Sequence, residues 1–252
     1  MSGAGETSAT IDTAMLLAAG FGKRMRPLTE RRPKPLVALC GKPLIDWAMD
    51  RLDAQGVTRF VANAHYLADQ IAAHFEGRPE VAISREAEIL DTGGGVKKAL
   101  PLLQGDEAAR PFFVINADAV WLDGTRPALA RLAEAWSADR MDALMLLHPT
   151  VATDDYEGAG DYHLDPDGRP RRRQEGEIAP FLFAGVQILS PRLFEGAPDG
   201  AFSLNRLYDR AQAAGRLAAL VHDGEWYHVG TPDALAATEA VIERGHTKTN
   251  TR

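Results

Sequence analysis

The sequence predicts an α/β fold: a single Rossmann-like, mostly parallel sheet with helices on both faces and a small inserted hairpin or lid. Short apolar runs alternate with segments in which apolar residues recur every three or four positions, as strands alternate with amphipathic helices. Acidic residues and glycines interrupt this alternation between 149 and 180, which indicates the insertion. The 252 residues, 45% of them hydrophobic, are enough for one domain of this kind.

The predicted elements follow one another in βαβ order. Apolar runs predict strands over 15–19, 59–64, 81–85, 112–116, 141–147 and 181–189. Apolar positions at helical spacing predict helices around Leu44 to Leu52, Leu67 to Phe75, Val96 to Leu103 and Leu129 to Trp136. We therefore divide the chain into a flexible leader over 1–12, a domain over 13–245 with an insertion over 149–180, and a flexible tail over 246–252.

Charge and composition narrow the classes of partner. The net charge of −7 disfavours nucleic acid and anionic membranes as partners, so any anion must bind at a local site. The single cysteine, Cys40, cannot form an internal disulfide, and neither a long apolar segment nor a secretory signal is present. We expect a cytoplasmic protein, either a monomer or a small homo-oligomer.

A candidate phosphate site follows the first predicted strand. Gly20 and Gly22 allow a tight turn whose N–H groups can approach phosphate oxygens, and Arg24 and Lys34 add positive charge. A dinucleotide-binding fingerprint would need a third glycine at Met25, and a Walker loop is excluded because Pro43 follows Gly41-Lys42. The spacing therefore favours a triphosphate site of another type.

This segment resembles the sugar-1-phosphate nucleotidyltransferase family. Residues 17–29 read L-A-A-G-F-G-K-R-M-R-P-L-T and residues 33–36 read P-K-P-L, against the family pattern L-A-A-G-x-G-x-R-M-x-P-L-T followed by P-K-P-L. Within this family, residues 86–95 read E-A-E-I-L-D-T-G-G-G, and from Glu86 or Glu88 onward they are similar to the short bacterial N-acetylmuramate-1-phosphate uridylyltransferases, which read E-T-G-G-G. The resemblance extends from Met15 to about Ile242.

Two further segments carry candidate ligand-binding residues. Asn116-Ala117-Asp118 follows a predicted strand, where a carboxylate can hold Mg²⁺ or can merely cap a turn. Asp91-Thr92-Gly93-Gly94-Gly95 is predicted to be a loop before a helix, and its glycines would let the backbone approach a flat ligand. The resemblance favours a metal ligand at Asp118 and contact with the nucleobase at Gly93 and Gly94.

The resemblance implies a role for each matching residue. Catalysis falls to Arg24, Lys34 and Asp118. Nucleotide binding falls to Ala19, Gly20, Gly22, Lys23, Arg24, Lys34, Gly93, Gly94 and Asn116; sugar binding falls to Asp161 and Gly185. The implied substrates are an NTP and a sugar 1-phosphate, UTP and N-acetylmuramate 1-phosphate being the preferred pair, which would serve peptidoglycan recycling. Alternatives are a hexose or heptose 1-phosphate with dTTP or GTP, and a regulatory domain that binds nucleotide sugars without turnover.

One segment departs from the family pattern. Where relatives read W-x-D-x-G-T, with a metal-binding aspartate, this chain has His228 within Trp226-Tyr227-His228-Val229-Gly230-Thr231. Imidazole suits Mn²⁺ or Co²⁺ better than Mg²⁺. We expect Asp118 and His228 to hold Mg²⁺, or Mn²⁺ or Co²⁺, with the alternative that His228 only hydrogen-bonds a phosphate or a water.

The insertion contains four arginines, Arg169 and Arg171 to Arg173. A guanidinium can pair with the carboxylate of an acidic sugar in a two-point contact. The alternative is that these side chains form a solvated face of the hairpin. The sequence leaves both open.

Overall fold

The computed structural model describes residues 11–105, 110–153 and 156–249. Its strands are β1 (Thr13–Leu17), β2 (Ala38–Leu39), β3 (Lys42–Pro43), β4 (Arg59–Ala64), β5 (Val81–Arg85), β6 (Phe112–Asn116), β7 (Val120–Leu122), β8 (Ala143–Pro149), β9 (Tyr162–Leu164), β10 (Pro170–Arg172), β11 (Phe181–Leu189), β12 (Leu217–Val221) and β13 (Glu225–Tyr227). The helices are α1 (Leu44–Gln55), α2 (Ala68–His74), α3 (Asp91–Gln104), α4 (Ala128–Ala135), α5 (Asn205–Ala213) and α6 (Pro232–Thr249).

The main sheet has nine strands and confirms the predicted fold class. Its order is β10-β9-β11-β6-β1-β4-β5, with β8 beside β11 and β12 beside β8. Strands β5, β4, β1 and β6 run parallel, whereas β11 is antiparallel to its neighbours β6, β8 and β9. Register places Leu17, Asn63 and Asn116 side by side at the carboxyl ends of β1, β4 and β6. Ligands collect at this edge in open α/β sheets.

Alternating side chains bury both faces of the sheet. Leu16 of β1 packs in one cluster with Ile45, Met49 and Leu52 of α1. Met15, the preceding residue, packs in a second cluster with α3 and α5 on the opposite face. A strand buried on both faces reads as a continuous apolar run, which is why β1 and β6 were recognisable in the sequence. A third cluster joins α6 to β2 and to the segment that contains Met25.

Several predicted boundaries need correction. The first strand spans Thr13–Leu17, not 15–19. The flexible leader was predicted to end at residue 12, but Ile11 and Asp12 belong to the folded part. Ile11 is buried, and the carbonyl oxygen of Asp12 accepts N–H groups from Thr58 and Arg59. Residues 1–10 lie outside the described part. The tail predicted over 246–252 begins inside α6, which runs to Thr249.

The predicted insertion contains the hairpin β9–β10. Its turn is closed by Gly168, whose N–H donates to the carbonyl oxygen of Asp165 and whose φ of +78° favours glycine. The hairpin joins the main sheet where Tyr162 pairs with Phe181. Across the described residues, no helix is both long and apolar enough to cross a membrane.

Candidate active site

The glycine loop after β1 is held against Lys34. Gly22 has φ +60°, and a Cβ there would lie 2.9 Å from the Cβ of Lys34. Only glycine meets both the backbone conformation and this close approach. The hydroxyl of Thr29 donates to the carbonyl oxygen of Gly22 over 2.8 Å and fixes the turn. Gly20, by contrast, has open space around its Cβ position.

The loop borders a cavity of about 420 Å³ at the carboxyl ends of the parallel strands. The cavity lining contains most of the residues predicted to bind nucleotide, namely Ala19, Gly20, Gly22, Lys23, Arg24, Lys34 and Asn116, together with Asp118. We call it the nucleotide-side cavity. Its size is in the range of small-molecule sites in proteins.

A second cavity of about 240 Å³, the sugar-side cavity, shares one wall with the first. Arg24, Lys34, Asn116 and Asp118 line both cavities. The second also contains the predicted sugar residues Asp161 and Gly185, and His228. The two cations and the carboxylate thus lie where a ligand in one cavity would meet a ligand in the other.

Lys34 and Asp118 form an ion pair on this shared wall. The ammonium nitrogen of Lys34 lies 2.5 Å from Oδ2 of Asp118, and the two side chains are 13% and 36% exposed. Asp118 follows β6 in a turn closed by the N–H of Ala119 donating to the carbonyl oxygen of Asn116. Asp118 is therefore part of a turn and also presents its carboxylate on the shared wall as a candidate functional group.

In the sugar-side cavity, a backbone hydrogen bond fixes Asp161, and close packing against Asn116 requires glycine at 185. Oδ2 of Asp161 accepts the N–H of Phe183 over 2.8 Å. Gly185 has φ +77°, and a Cβ there would lie 2.9 Å from Nδ2 of Asn116, where the register of β11 shifts. Glycine is needed at 185 because any side chain would displace Asn116 from the shared wall.

His228 follows β13 and faces the same cavity. Burial lowers the pKa of its imidazole, the positive charges of Arg24 and Lys34 lower it further, and Asp118 opposes this shift. The neutral form, which can ligate a metal, is therefore favoured. Gly230 leaves room for the ring, because a Cβ at 230 would lie 2.4 Å from Nε2 of His228.

The donor set fits a metal ion only in combination with a ligand. Among the described residues, no three His, Cys, Asp or Glu side chains are grouped to hold a metal ion. Asp118 and His228 supply one carboxylate and one imidazole on the sugar-side cavity. Mg²⁺ commonly binds through one or two carboxylates, waters and substrate phosphates, so the carboxylate of Asp118 fits such an ion when a triphosphate adds oxygens, and the imidazole of His228 fits a softer metal.

The glycine-rich segment 93–95 differs from the predicted loop. Helix α3 begins at Asp91, so all three glycines are helical and buried. A Cβ at Gly93 would lie 2.3 Å from the ring of Phe202, and one at Gly94 would lie 2.3 Å from the carbonyl oxygen of Gly200. Packing against 200–202 explains Gly93 and Gly94, whereas a Cβ at Gly95 would lie 2.8 Å from Nδ2 of Asn63 and 2.8 Å from Oε1 of Glu86. Asp91 and Thr92, not Gly93 and Gly94, line the nucleotide-side cavity, and contact of the two glycines with a base stays a prediction.

Sequence reasoning gave no role to Asn63 and Glu86, which are buried in the nucleotide-side cavity wall. Nδ2 of Asn63 donates to Oε1 of Glu86 over 2.6 Å, and its Oδ1 accepts the N–H of Ala18 over 2.7 Å. The N–H of Leu90 donates to the other carboxylate oxygen. The available signal was a polar residue, Asn63, near the end of an apolar strand.

Comparison with known proteins decides the family. Residues 13–156 match the profile of the family described as nucleotidyl transferase. The chain belongs to this family. It is 44% identical over 234 residues to an N-acetylmuramate alpha-1-phosphate uridylyltransferase of Caulobacter vibrioides, covering 90% of this chain and 95% of the relative. Identity to the protein of the same name from Neisseria meningitidis serogroup B is 36%, covering 90% and 97%. The family assignment makes the chain an enzyme that transfers nucleotidyl groups.

Solved structures show that the nucleotidyltransferase fold extends over almost the whole chain. The inositol-1-phosphate CTP transferase of T. maritima superimposes with a TM-score of 0.74 at 18% identity, covering 94% of this chain and 98% of that one. HddC from Yersinia pseudotuberculosis gives a TM-score of 0.72 at 23% identity, covering 92% and 100%. These similarities concern the fold alone.

Proposed function

We propose that this nucleotidyltransferase joins UTP to N-acetylmuramate 1-phosphate and releases pyrophosphate and UDP-N-acetylmuramate. One observation carries the reaction: Arg24, Lys34 and Asp118 lie on the wall between two adjacent cavities. The choice of substrates is supported by the 44% and 36% identities to N-acetylmuramate alpha-1-phosphate uridylyltransferases over nine-tenths of the chain. The proposal assigns the reaction to peptidoglycan recycling in the cytoplasm, by a monomer or small homo-oligomer.

The chemistry needs positioning and charge neutralisation more than a protein nucleophile. A phosphate oxygen of the sugar phosphate forms a bond to the α-phosphorus of UTP, and the bond from that phosphorus to the β-phosphate bridging oxygen breaks. The leaving pyrophosphate takes the electron pair. Arg24 and Lys34 offset the negative charge that develops around the α-phosphorus, and the N–H groups of 19–22 bind phosphate oxygens.

The two cavities give the substrates opposite orientations. In our proposal, the uridine lies in the nucleotide-side cavity towards Asn63 and Glu86, and the sugar lies towards Asp161 and Gly185. Oδ1 of Asp161 would accept a sugar hydroxyl, since its Oδ2 already accepts the N–H of Phe183. The reacting atoms then meet at the shared wall, and holding them together there is a large part of the rate enhancement.

Asp118 and His228 would hold a divalent metal ion, Mg²⁺ or the softer Mn²⁺ or Co²⁺, beside the triphosphate. Such an ion neutralises phosphate charge and polarises the phosphoryl group. Lys34 would then exchange its present partner, Asp118, for a phosphate oxygen. The exchange keeps the ammonium paired, so it costs little electrostatic energy.

The test is a panel of nucleotides against sugar 1-phosphates, read by pyrophosphate release. UTP, dTTP, GTP, CTP and ATP are each combined with N-acetylmuramate, N-acetylglucosamine, glucose and mannose 1-phosphates, with and without a divalent metal. We expect UTP with N-acetylmuramate 1-phosphate to give the highest kcat/KM, and no release without metal. Faster reaction of dTTP or GTP with a hexose phosphate would overturn the substrate assignment. Tight nucleotide-sugar binding without any turnover would overturn the reaction.

A further inference from the structure

A third cavity, of about 490 Å³, lies next to the sugar-side cavity. Asp161 and Phe183 line both, so the two cavities are adjacent. The third cavity is bordered by the hairpin β9–β10 and by Asn205 at the start of α5. We call it the side cavity. A substituent on a sugar bound at Asp161 has room to enter it.

Two arginines of the hairpin line the side cavity, but their charges are not equally available. Nε of Arg172 lies 2.6 Å from Oδ1 of Asp209, and its Nη2 also pairs with that carboxylate. This two-point contact offsets the charge of Arg172. Among the described residues, no carboxylate lies within 4.0 Å of the guanidinium nitrogens of Arg173. Of the two arginines that line the side cavity, Arg173 is therefore the one whose charge is not offset by a carboxylate among the described residues.

The guanidinium of Arg173 is held in place by backbone oxygens. Its Nε donates to the carbonyl oxygen of Gly160 over 2.7 Å, and its Nη1 has longer contacts with the carbonyl oxygens of Gln174 and Glu177. No hydrogen bond from Nη2 is present among the described residues. A positioned guanidinium loses less side-chain entropy when it pairs with a carboxylate.

The side cavity also contains a buried donor. The hydroxyl of Tyr162 is buried and has no hydrogen-bond partner in the described part of the chain. Burial raises the pKa of Tyr162, so the hydroxyl keeps its proton and can donate. A buried hydroxyl without a partner carries a free-energy cost. Two carboxylates are also present: Asp161 is bound by the N–H of Phe183, and Glu175 is exposed.

We propose that the side cavity receives an acidic substituent of the sugar, and that Arg173 pairs with its carboxylate. This inference rests on the proposed function, because N-acetylmuramate carries a lactyl ether whose carboxylate is absent from N-acetylglucosamine. Arg173 is then the residue that separates the acidic sugar from its neutral analogue. Arg169, Arg171 and Arg172 do not share this role: Arg169 and Arg171 do not line the side cavity, and Asp209 holds Arg172.

The test compares kcat/KM for N-acetylmuramate 1-phosphate with that for N-acetylglucosamine 1-phosphate in the wild type and Arg173→Gln. We expect the acidic substrate to lose about 30-fold and the neutral one less than about threefold, the size expected for one charge-assisted hydrogen-bonded pair. Arg173→Lys should recover part of the loss because it restores the charge without the two-point geometry. Arg169→Gln is the matched control, since Arg169 is exposed and 3.9 Å from Asp167.

A substrate change provides an independent arm. Converting the lactyl carboxylate to its amide should slow the wild type by about 30-fold and leave Arg173→Gln nearly unaffected, since the charged pair is already lost. Calorimetry measures the binding affinity of the acidic sugar phosphate and of its amide to the wild type and to Arg173→Gln, and so makes the same comparison without turnover. Equal losses for both sugars in Arg173→Gln would mean that Arg173 only supports the hairpin and would overturn the inference. Failure of every nucleotide to react would overturn the proposed function, while the binding arm would still test Arg173.

Discussion

The ammonium of Lys34 donates to Oδ2 of Asp118 over 2.5 Å, although 84 positions separate the two residues in the chain. The contact joins the segment after the glycine loop to the carboxyl end of β6. Gly22 makes it possible, since a side chain at 22 would press on the Cβ of Lys34. The glycine loop, the cation and the carboxylate are thus one packed unit.

We expect Lys34→Ala to lower kcat by about a hundredfold or more, because a cation at the developing charge stabilises the transition state. Arg24→Ala should have an effect of the same size. Lys42→Ala is the control: Lys42 is a partly exposed lysine paired with Asp50, and it lines neither cavity. Steady-state kinetics with thermal unfolding check both. An unchanged kcat in either site variant would remove that residue from the mechanism.

Asp118→Asn should lower turnover to a similar extent and raise the metal concentration needed for half-maximal activity. The amide keeps the size of the side chain but loses the charge that attracts a cation. Fluorescence or calorimetric titration of Mn²⁺ in the presence of UTP measures this separately from turnover. Wild-type metal affinity in Asp118→Asn would show that Asp118 only pairs with Lys34.

His228 is expected to make the enzyme favour softer metals. Mn²⁺ or Co²⁺ should support activity at lower concentration than Mg²⁺, since imidazole is a poor ligand for Mg²⁺. His228→Asp should sharpen the response to Mg²⁺, and His228→Ala should weaken the softer metals most. Metal titrations of the three proteins decide this. Superimposable curves for the wild type and His228→Ala would mean that His228 is not a ligand.

Gly93→Ala should lower the free energy of unfolding by about 2 kcal/mol or more. Helix propensity alone would favour alanine by about 1 kcal/mol. The new Cβ, however, would lie 2.3 Å from the ring of Phe202 and 2.8 Å from its carbonyl oxygen, and overpacking of this kind costs more. Urea unfolding measures the difference. Gly20→Ala, with nothing within 4 Å of its Cβ, should leave stability unchanged.

Acid should destabilise the protein through His148 and His222. Both are buried with ring centroids 5.7 Å apart, and burial lowers the pKa of each below its ordinary value of 6.5. Contacts with the backbone of Glu225 and Leu122, and then the charges of Asp123 and Asp223, oppose this shift in the pKa of His222. Below about pH 6.5 the unfolded chain binds protons that the folded protein does not. The free energy of unfolding therefore decreases as the pH is lowered. Once the pH is below the pKa values of the two histidines in the folded protein, their contribution to the free energy of unfolding is fully lost.

A variant isolates this effect. His148→Leu should reduce the slope of unfolding free energy against pH between about pH 7 and pH 5, since one of the two buried titrating groups is removed. Both nitrogens of His148 are buried and make no hydrogen bond of ordinary geometry in the described chain, only a weaker contact with the backbone of Ala152, so an apolar replacement removes little polar bonding. An unchanged slope would show that other groups dominate acid unfolding.

Local patterns predicted the central sheet well. The bounds of β4, β5, β6 and β11 match the predicted ranges, and β6 and β11 were clearest because strands buried on both faces are apolar along most of their length. The first strand ends earlier because the N–H of Ala18 turns to Oδ1 of Asn63, although Ala18 and Ala19 are as apolar as the strand. The local sequence does not distinguish the apolar residues inside β1 from the apolar residues Ala18 and Ala19 that follow it.

Long-range contacts explain the remaining differences. Glycines at 93–95 predicted a loop, but all three lie in α3, where Gly93 and Gly94 pack against 200–202, over a hundred positions away, and Gly95 packs against Asn63 and Glu86. The short strands β7 and β13 pair only with each other and were too brief to be recognised. Among the four hairpin arginines, the sequence could not separate Arg173 from Arg172, because only the fold places Asp209 beside one of them.

The central claim is that the sugar phosphate attacks the α-phosphorus of UTP across the wall formed by Arg24, Lys34 and Asp118. It is tested most directly with N-acetylmuramate 1-phosphate carrying ¹⁸O in its phosphate, the products being analysed by mass spectrometry. The account predicts that all of the label appears in UDP-N-acetylmuramate, the attacking oxygen in the bridge between its two phosphates, and none in pyrophosphate. Unlabelled UMP with pyrophosphate, or label in the pyrophosphate, would contradict it.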